Sequence, residues 1–223
     1  MDARDLLTEG NTRQQGPRCR RESAILSAST SPFSRQSQAL TVELGRYSMA
    51  PNPLLLQFSS LLEDQNLEGP ILDLACGTGE NGLFLASLNL PVILADQSPE
   101  VLEVARRSAE DRRLKVQFWE VDLETGRNPL KEKYYRAILV FHYLYRPLIP
   151  YVRKGIHKGG ILIYETFASE QPKYGHPHNP DYLLQPGELA DWFQDWQIIH
   201  HFEGLLENPR RAMAQIVCRK PSE

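Results

Sequence analysis

Residues 71 to 82, Ile-Leu-Asp-Leu-Ala-Cys-Gly-Thr-Gly-Glu-Asn-Gly, limit what this chain can fold into more than any other stretch. An apolar run carrying one acid, Asp73, breaks into a glycine-rich turn, and Leu83-Phe84-Leu85-Ala86 follows at helical spacing. The pattern predicts a strand, a tight loop and a helix N-terminus. Such a loop sets backbone N–H groups beside the positive end of a helix dipole, where an anionic or nucleotide-like ligand is favoured. Gly77, Gly79 and Gly82 also satisfy the G-x-G-x-x-G spacing, a weak signal alone, so the residues that follow decide its meaning.

From Tyr47 onward strand and helix patterns alternate. Pro53 to Leu62 reads as a leading helix, Ile71 to Ala75 as a strand, Asn81 to Leu88 as a helix. Val92 to Ala95, Lys115 to Val121 and Arg136 to Phe141 are the next strands, with a helix at Pro99 to Ala109. Arg136 to Phe141 is nearly all apolar, as in a strand buried on both faces. Pro147 to Ile156 reads as a helix, Gly160 to Thr166 as a fifth strand after the turn Lys158-Gly159-Gly160, and Pro186 to Phe193 as a helix. Gln197 to Glu203 and Ala212 to Arg219 are two late strands around the hairpin-type turn Glu207-Asn208-Pro209-Arg210. The order predicts an α/β fold: a Rossmann-like, doubly wound, mostly parallel seven-stranded sheet closed by a C-terminal antiparallel pair. A ligand is expected at the strands' carboxyl ends.

The composition bounds the function. The 223 residues suffice for one domain plus a tail, and the net charge of −3 argues against a broad nucleic-acid-binding face. No apolar run is as long as a membrane span. Cys19, Cys76 and Cys218 are too few and too scattered for a disulfide framework or zinc-ligand pattern, and a reducing cytoplasm fits them. Residues 1–46 are rich in Ser, Thr, Arg and Gln, so a disordered extension is expected there, with the domain over 47–223. Arg18, Arg20 and Arg21 raise a transit-peptide reading, which Asp2, Asp5 and Glu9 oppose.

Three acids mark the first three strands: Asp73 inside the first, Asp96 ending the second, Asp122 ending the third. A carboxylate after the second strand can accept from both hydroxyls of a ribose, in dinucleotide and adenosylmethionine sites alike. Asp73, four residues before Gly77, suits a ligand carrying an ammonium group. Asp122 suits an adenine amine. The plainer alternatives are a structural acid at 73, a helix cap at 96 and a turn acid at 122. Cys76 reads as a packing residue.

On these residues the stretch from Ile71 to about Lys220 resembles a class I S-adenosylmethionine-dependent methyltransferase. Ile71–Gly79 looks like the first motif of that family, Ala95–Ser98 the second, Val121–Leu123 the third, and Lys158–Leu162 its post-core turn and strand. Within the class the Gly77-x-Gly79-x-Asn81 run is similar to the tellurite-resistance-like group, although Glu80 stands where that group suggests a basic residue. The resemblance implies that Ala75, Gly77 and Gly79 hold the amino-acid end of S-adenosylmethionine, with Asp73 helping to orient it. It implies that Asp96 binds the ribose, Gln97 lies against the adenine, Asp122 and Leu123 meet the adenine edge, and Phe141 lines the methyl-donor side.

The acceptor side is read from Phe141-His142-Tyr143-Leu144-Tyr145-Arg146-Pro147, expected over the methyl group. It lacks an Asn/Asp-Pro-Pro-aromatic motif, which disfavours adenine-N6 or glutamine-amide methylation. His142 is the candidate base, with Tyr143 beside it; the alternative is a satisfied histidine at a strand end. Tyr145 and Arg146 are candidate acceptor contacts or loop braces. Tyr164 and, in a lid-like polar loop, Tyr174 and His176 complete the expected substrate side. His176-Pro177-His178 has no thiolate or carboxylate at ligand spacing, so no metal is expected. Arg106, Arg107, Arg112, Arg113 and Lys115 read as a solvated helix face rather than an RNA contact. A small-molecule acceptor is expected, with no membrane partner and the oligomeric state open. The competing readings are a tRNA or protein methyltransferase, an NAD(P)-dependent oxidoreductase, and a non-catalytic module that keeps the cofactor pocket.

Overall fold

The computed structural model of the protein describes residues 50–222, which fall within the compact unit Ser48–Glu223. The extension expected over residues 1–46 lies outside the described residues. A short helix, α1 (Pro53–Phe58), opens the domain; the side chain of Asn52 caps it by accepting from the Leu54 N–H. Proline at the first helical position loses no hydrogen bond, since that N–H has no intrahelical partner. The leading helix expected over residues 53–62 divides here, and Ser59–Glu63 tightens into a 3-10 turn.

The alternation then runs β1 (Ile71–Leu74), α2 (Glu80–Ser87), β2 (Val92–Asp96), α3 (Pro99–Asp111), β3 (Gln117–Glu120), β4 (Tyr135–Phe141), α4 (Ile149–Gly155), β5 (Ile156–Phe167), α5 (Glu188–Asp191), β6 (Gln197–Glu207) and β7 (Arg210–Arg219). The strands form one seven-stranded sheet in the order β3-β2-β1-β4-β5-β7-β6. β3, β2, β1, β4 and β5 are parallel neighbours, and β7 runs antiparallel between β5 and β6. This is the expected mostly parallel, doubly wound sheet with a C-terminal hairpin. β1 lies between β2 and β4, so the winding reverses beside it and leaves a crevice at the carboxyl ends.

Period-two alternation splits the core into two layers. Leu72, Leu74, Ile138, Val140, Leu162 and Ile216 pack on one face with Val152 of α4 and with Phe193 and Trp196. Ile71, Leu94, Ala137, Leu139, Ile163 and Val217 pack on the other with α1, α2 and α3. Asp73, between Leu72 and Leu74, therefore shares the face of Ile71 and points toward α2. Phe193 and Trp196 close the core on the Leu72 face.

Several boundaries move. β5 starts at Ile156, paired with Tyr135, and a register irregularity absorbs the turn expected at residues 158–160 into the strand. α4 consequently ends at Gly155, and a 3-10 turn, Arg146–Leu148, precedes it. The helix expected over residues 186–193 keeps only Glu188–Asp191, because the next residues turn to drive Phe193 and Trp196 inward.

Candidate active site

Leu74 lies level with Ala95 of β2 and Val140 of β4, so the loops after these strands share one edge. Between β1 and α2 the backbone winds through left-handed conformations at Ala75 (φ 54°), Gly77 (φ 56°) and Gly79 (φ 80°). Such a run is costly for L side chains and turns successive amides to one side. Added Cβ atoms separate the glycines by task. At Gly82 a Cβ would stand 2.3 Å from Leu94 Cδ2 and 3.0 Å from Asp73 Oδ2; at Gly77 it would meet nothing within 4 Å. Gly82 serves the close packing of α2 on β2, while Gly77 borders open space that a ligand can enter.

The first two acids hold this loop. Asp73 is 2% exposed, and its Oδ2 accepts from the Gly82 N–H at 2.8 Å. Burial pushes its carboxyl up to about 7; the Gly82 N–H opposes that and the Asp96 charge adds to it. Asp96 accepts from the Gly77 N–H through Oδ2 at 2.9 Å and from the Ser98 N–H through Oδ1 at 3.0 Å. It is not the cap of α3, because the Ser98 side chain accepts from the Val101 N–H and does that work. Each Asp96 oxygen keeps a lone pair for a further donor. Asp122 is exposed and accepts from the Glu124 N–H at 2.8 Å, an Asx-type turn. Gln97 is half-buried, Leu123 and Phe141 are buried. Burial, with the charges of Asp73 and Asp96, pushes the Cys76 thiol well up, which suits packing and not a nucleophile.

Across the crevice, β4 ends on Phe141, level with Glu165 of β5, which in turn faces Gln215 of β7. His142 follows at φ 55°, outside the usual range for a residue with a Cβ, and its N–H donates to the Glu165 carbonyl at 2.8 Å. Its ring stacks on Phe167 with 5.3 Å between centroids. His142 Nε2 lies 3.4 Å from Glu165 Oε1, within ion-pair reach but too poorly aligned for a hydrogen bond. Glu165 is 4% exposed and accepts from Asn52 Nδ2 at 2.6 Å and from Gln215 Nε2 at 2.5 Å. Burial opposes its ionisation, yet His142, Asn52 and Gln215 together outweigh that and hold the carboxyl below its usual range. His200 Nε2 lies 3.0 Å from Gln215 Oε1, and the Asn52 N–H donates to Asn81 Oδ1 at 2.8 Å.

The remaining acceptor candidates separate into frame and rim. Tyr143 is buried, its hydroxyl 3.4 Å from Glu124 Oε1, and burial pushes its phenol far up. Tyr164 is buried and donates to the Tyr143 carbonyl at 3.0 Å. Arg146 donates to both oxygens of Glu188, at 2.6 and 2.8 Å, and to the carbonyls of Asp181 and Leu183. These three groups brace the structure: Tyr143 and Tyr164 are buried, and Arg146 ties the segment after β4 to Glu188 and to the carbonyls of Asp181 and Leu183. Tyr145 and Tyr174 are half-buried and His176 is exposed. Buried Gln171 donates to the His176 carbonyl at 2.9 Å and pins the loop that carries it. Among the described residues no group of three or more His, Cys, Asp or Glu is placed to hold a metal, and no helix is long and apolar enough to cross a membrane.

Residues 71–158 match the family described as "Methyltransferase domain". A Haemophilus influenzae relative, the probable S-adenosyl-L-methionine-dependent methyltransferase TehB, is 22% identical over 142 residues, 61% of this chain and 49% of that protein. The matched domain and this relative support a class I S-adenosylmethionine-dependent methyltransferase. The chain spans about half the length of the curated relatives it matches. Its fold is similar to the crystal structure of TehB (TM-score 0.59, 21% identity, 73% of this chain and 62% of that one). It is also similar to magnesium protoporphyrin IX methyltransferase from Synechocystis with bound S-adenosylhomocysteine (TM-score 0.58, 18% identity, 75% and 81%). The tellurite-resistance-like character expected from the Gly77-x-Gly79-x-Asn81 run agrees with TehB.

In this chain Glu80, the departure from that group's pattern, pairs with Arg112 at 3.2 Å and ties the start of α2 to the end of α3. Arg106 and Arg107 pair with Glu103, and Arg106 also lies 4.3 Å over the Phe118 ring, as a solvated helix face would have it. The sequence reading missed Asn52, Glu165, His200 and Gln215. A signal existed for Glu165: like Asp73, it is an acid inside an otherwise apolar strand, Ile161-Leu162-Ile163-Tyr164. Asn52, His200 and Gln215 carry no such mark.

Proposed function

We propose that the protein transfers a methyl group from S-adenosylmethionine to a small-molecule acceptor by in-line displacement. The observation that carries this reading is the open space beside Gly77, bordered by the left-handed loop and by Asp96 at the reversal of the sheet. Ala75, Gly77 and Gly79 offer backbone to the amino-acid end of the cofactor. Asp73 keeps that loop in shape through Gly82 and, being buried, is relieved by an ammonium group arriving nearby. Asp96 turns its spare lone pairs to the ribose hydroxyls. Gln97, Asp122 and Leu123 border the adenine, and Phe141 lines the methyl side. The bound cofactor supplies an electrophilic methyl on a sulfonium; the chain aligns the acceptor with it, excludes water and takes any proton the acceptor must lose.

His142 is the base candidate of this reading, with Tyr145, Tyr174 and His176 at the rim where an acceptor enters. The arginines of α3 are engaged with acids or an aromatic ring, which supports a small acceptor over RNA. The porphyrin methyltransferase among the structural neighbours supports the same choice. Calorimetric titration with S-adenosylmethionine and, separately, NADH tests the reading. Binding of adenosylmethionine alone, weakened in Asp96→Ala, is expected; binding of NADH, or of neither, overturns it.

A further inference from the structure

We infer that Glu165 is the positioning residue that makes His142 a proton acceptor, and that the methyl acceptor is therefore a hydroxyl or thiol still carrying its proton. This rests on the methyltransferase reading above. A buried carboxylate is costly unless charge or hydrogen bonds meet it. Asn52 and Gln215 supply two neutral donors to Glu165, from the cap of α1 and from β7. Among the described residues, His142 is the group in contact with Glu165 that can become positive. A proton arriving on His142 completes the pair, so Glu165 stands as the counter-charge beside the imidazolium that forms when an acceptor is deprotonated. An acceptor already anionic needs no such device.

The geometry also selects the nitrogen. Nε2 of His142 is buried and faces Glu165, although its side chain is 29% exposed, so Nδ1 is the nitrogen left for a substrate proton. The Phe167 stack and the backbone bond to the Glu165 carbonyl limit the ring's freedom. A small rotation brings Nε2–H onto Oε1, as catalytic hydrogen bonds often tighten on binding. In the step itself the acceptor oxygen or sulfur forms a bond to the methyl carbon while the carbon–sulfur bond breaks. The bonding pair stays on the leaving sulfur as a neutral thioether, the acceptor proton passes to Nδ1, and the imidazolium rests against Glu165.

The test uses the full chain with ¹⁵N-labelled histidine, His142→Gln assigning the signal among the six histidines. The neutral His142 ring is expected to carry its proton on Nε2, and Glu165→Ala to lose that preference. Glu165→Gln keeps the volume and serves if the alanine variant does not fold. With catechol, phenol and dithiothreitol as probes and iodide as the proton-free control, Glu165→Gln is expected to lower kcat on the order of tenfold or more. Its affinity for adenosylmethionine should stay within about twofold, and Glu165→Asp should recover part of the rate. A proton on Nδ1, an unchanged rate in Glu165→Gln, or turnover of iodide alone or of no probe overturns the inference while cofactor binding stands. Failure of every form to bind adenosylmethionine overturns the methyltransferase reading and the inference with it.

Discussion

The two sides of the crevice are built from different material. On the β1–β2 side the side chains serve the backbone: Asp73 holds the Gly82 amide and Asp96 those of Gly77 and Ser98. The surface left for a ligand is largely a short run of main chain. On the β4–β5–β7 side the surface is a cluster of side chains, His142, Glu165, Gln215 and His200, with Asn52 from ahead of the sheet. A site made of backbone requires glycines at fixed spacing. A site made of side chains requires only that the topology bring single residues together. Asn52 joins the two, donating from its N–H to Asn81 at the start of α2 and from its side chain to Glu165.

The largest effect that would sharpen this contrast is on stability and belongs to Asp73. Its folded carboxyl titrates near 7 against an ordinary 3.8. Below the lower value it is neutral folded or unfolded; as pH rises through the window the unfolded chain ionises first and stability is lost. Asp73→Asn, which keeps an acceptor for the Gly82 N–H, is expected to remove that loss, on the order of a few kcal/mol by pH 7. Denaturant titrations of both proteins from pH 4 to 7 measure it. Identical slopes would mean that the acid is not held neutral.

Next, His142→Ala is expected to lower kcat by roughly a hundredfold or more, with adenosylmethionine affinity nearly unchanged. A matching loss of affinity, read by calorimetry, would break the division between the two sides. The glycines divide the cofactor side further. Gly82→Ala drives a Cβ against Leu94 and should cost about 1–3 kcal/mol of folding stability. Gly77→Ala meets open space, so only its left-handed backbone penalises it, by about 1–2 kcal/mol. It should lose cofactor affinity out of proportion to its thermal shift. Asp96→Ala should weaken cofactor binding by at least about tenfold, since it removes both the proposed ribose partner and the acceptor that shapes the Gly77 amide. Glu110→Ala, on the exposed face of α3, should change neither quantity measurably.

The loop between β1 and α2 was legible because its constraints are local. A strand, left-handed turns and a helix start must occur within a few residues, and Asp73, Gly77, Gly79 and Asp96 stand out in any reading of the chain. The acceptor side was legible only in part. His142 stands out by following the apolar β4, but nothing near it names Glu165 as its partner. Tyr143, Tyr164 and Arg146 looked like ligand contacts because aromatic and guanidinium groups serve binding and bracing equally well. Burial and engaged hydrogen bonds separate the two uses, and both are long-range properties.

The sequence by itself determined the alternation of strands and helices and the glycine-rich loop with its acids. These follow from apolar periodicity and from backbone conformations that few residues adopt. Only the tertiary structure decided that β7, antiparallel between β5 and β6, sets Gln215 opposite Glu165, and that the cap of α1 reaches the same carboxylate. Those contacts depend on register and packing across segments far apart in the chain, where one position in the sequence carries no information about which other position it will meet.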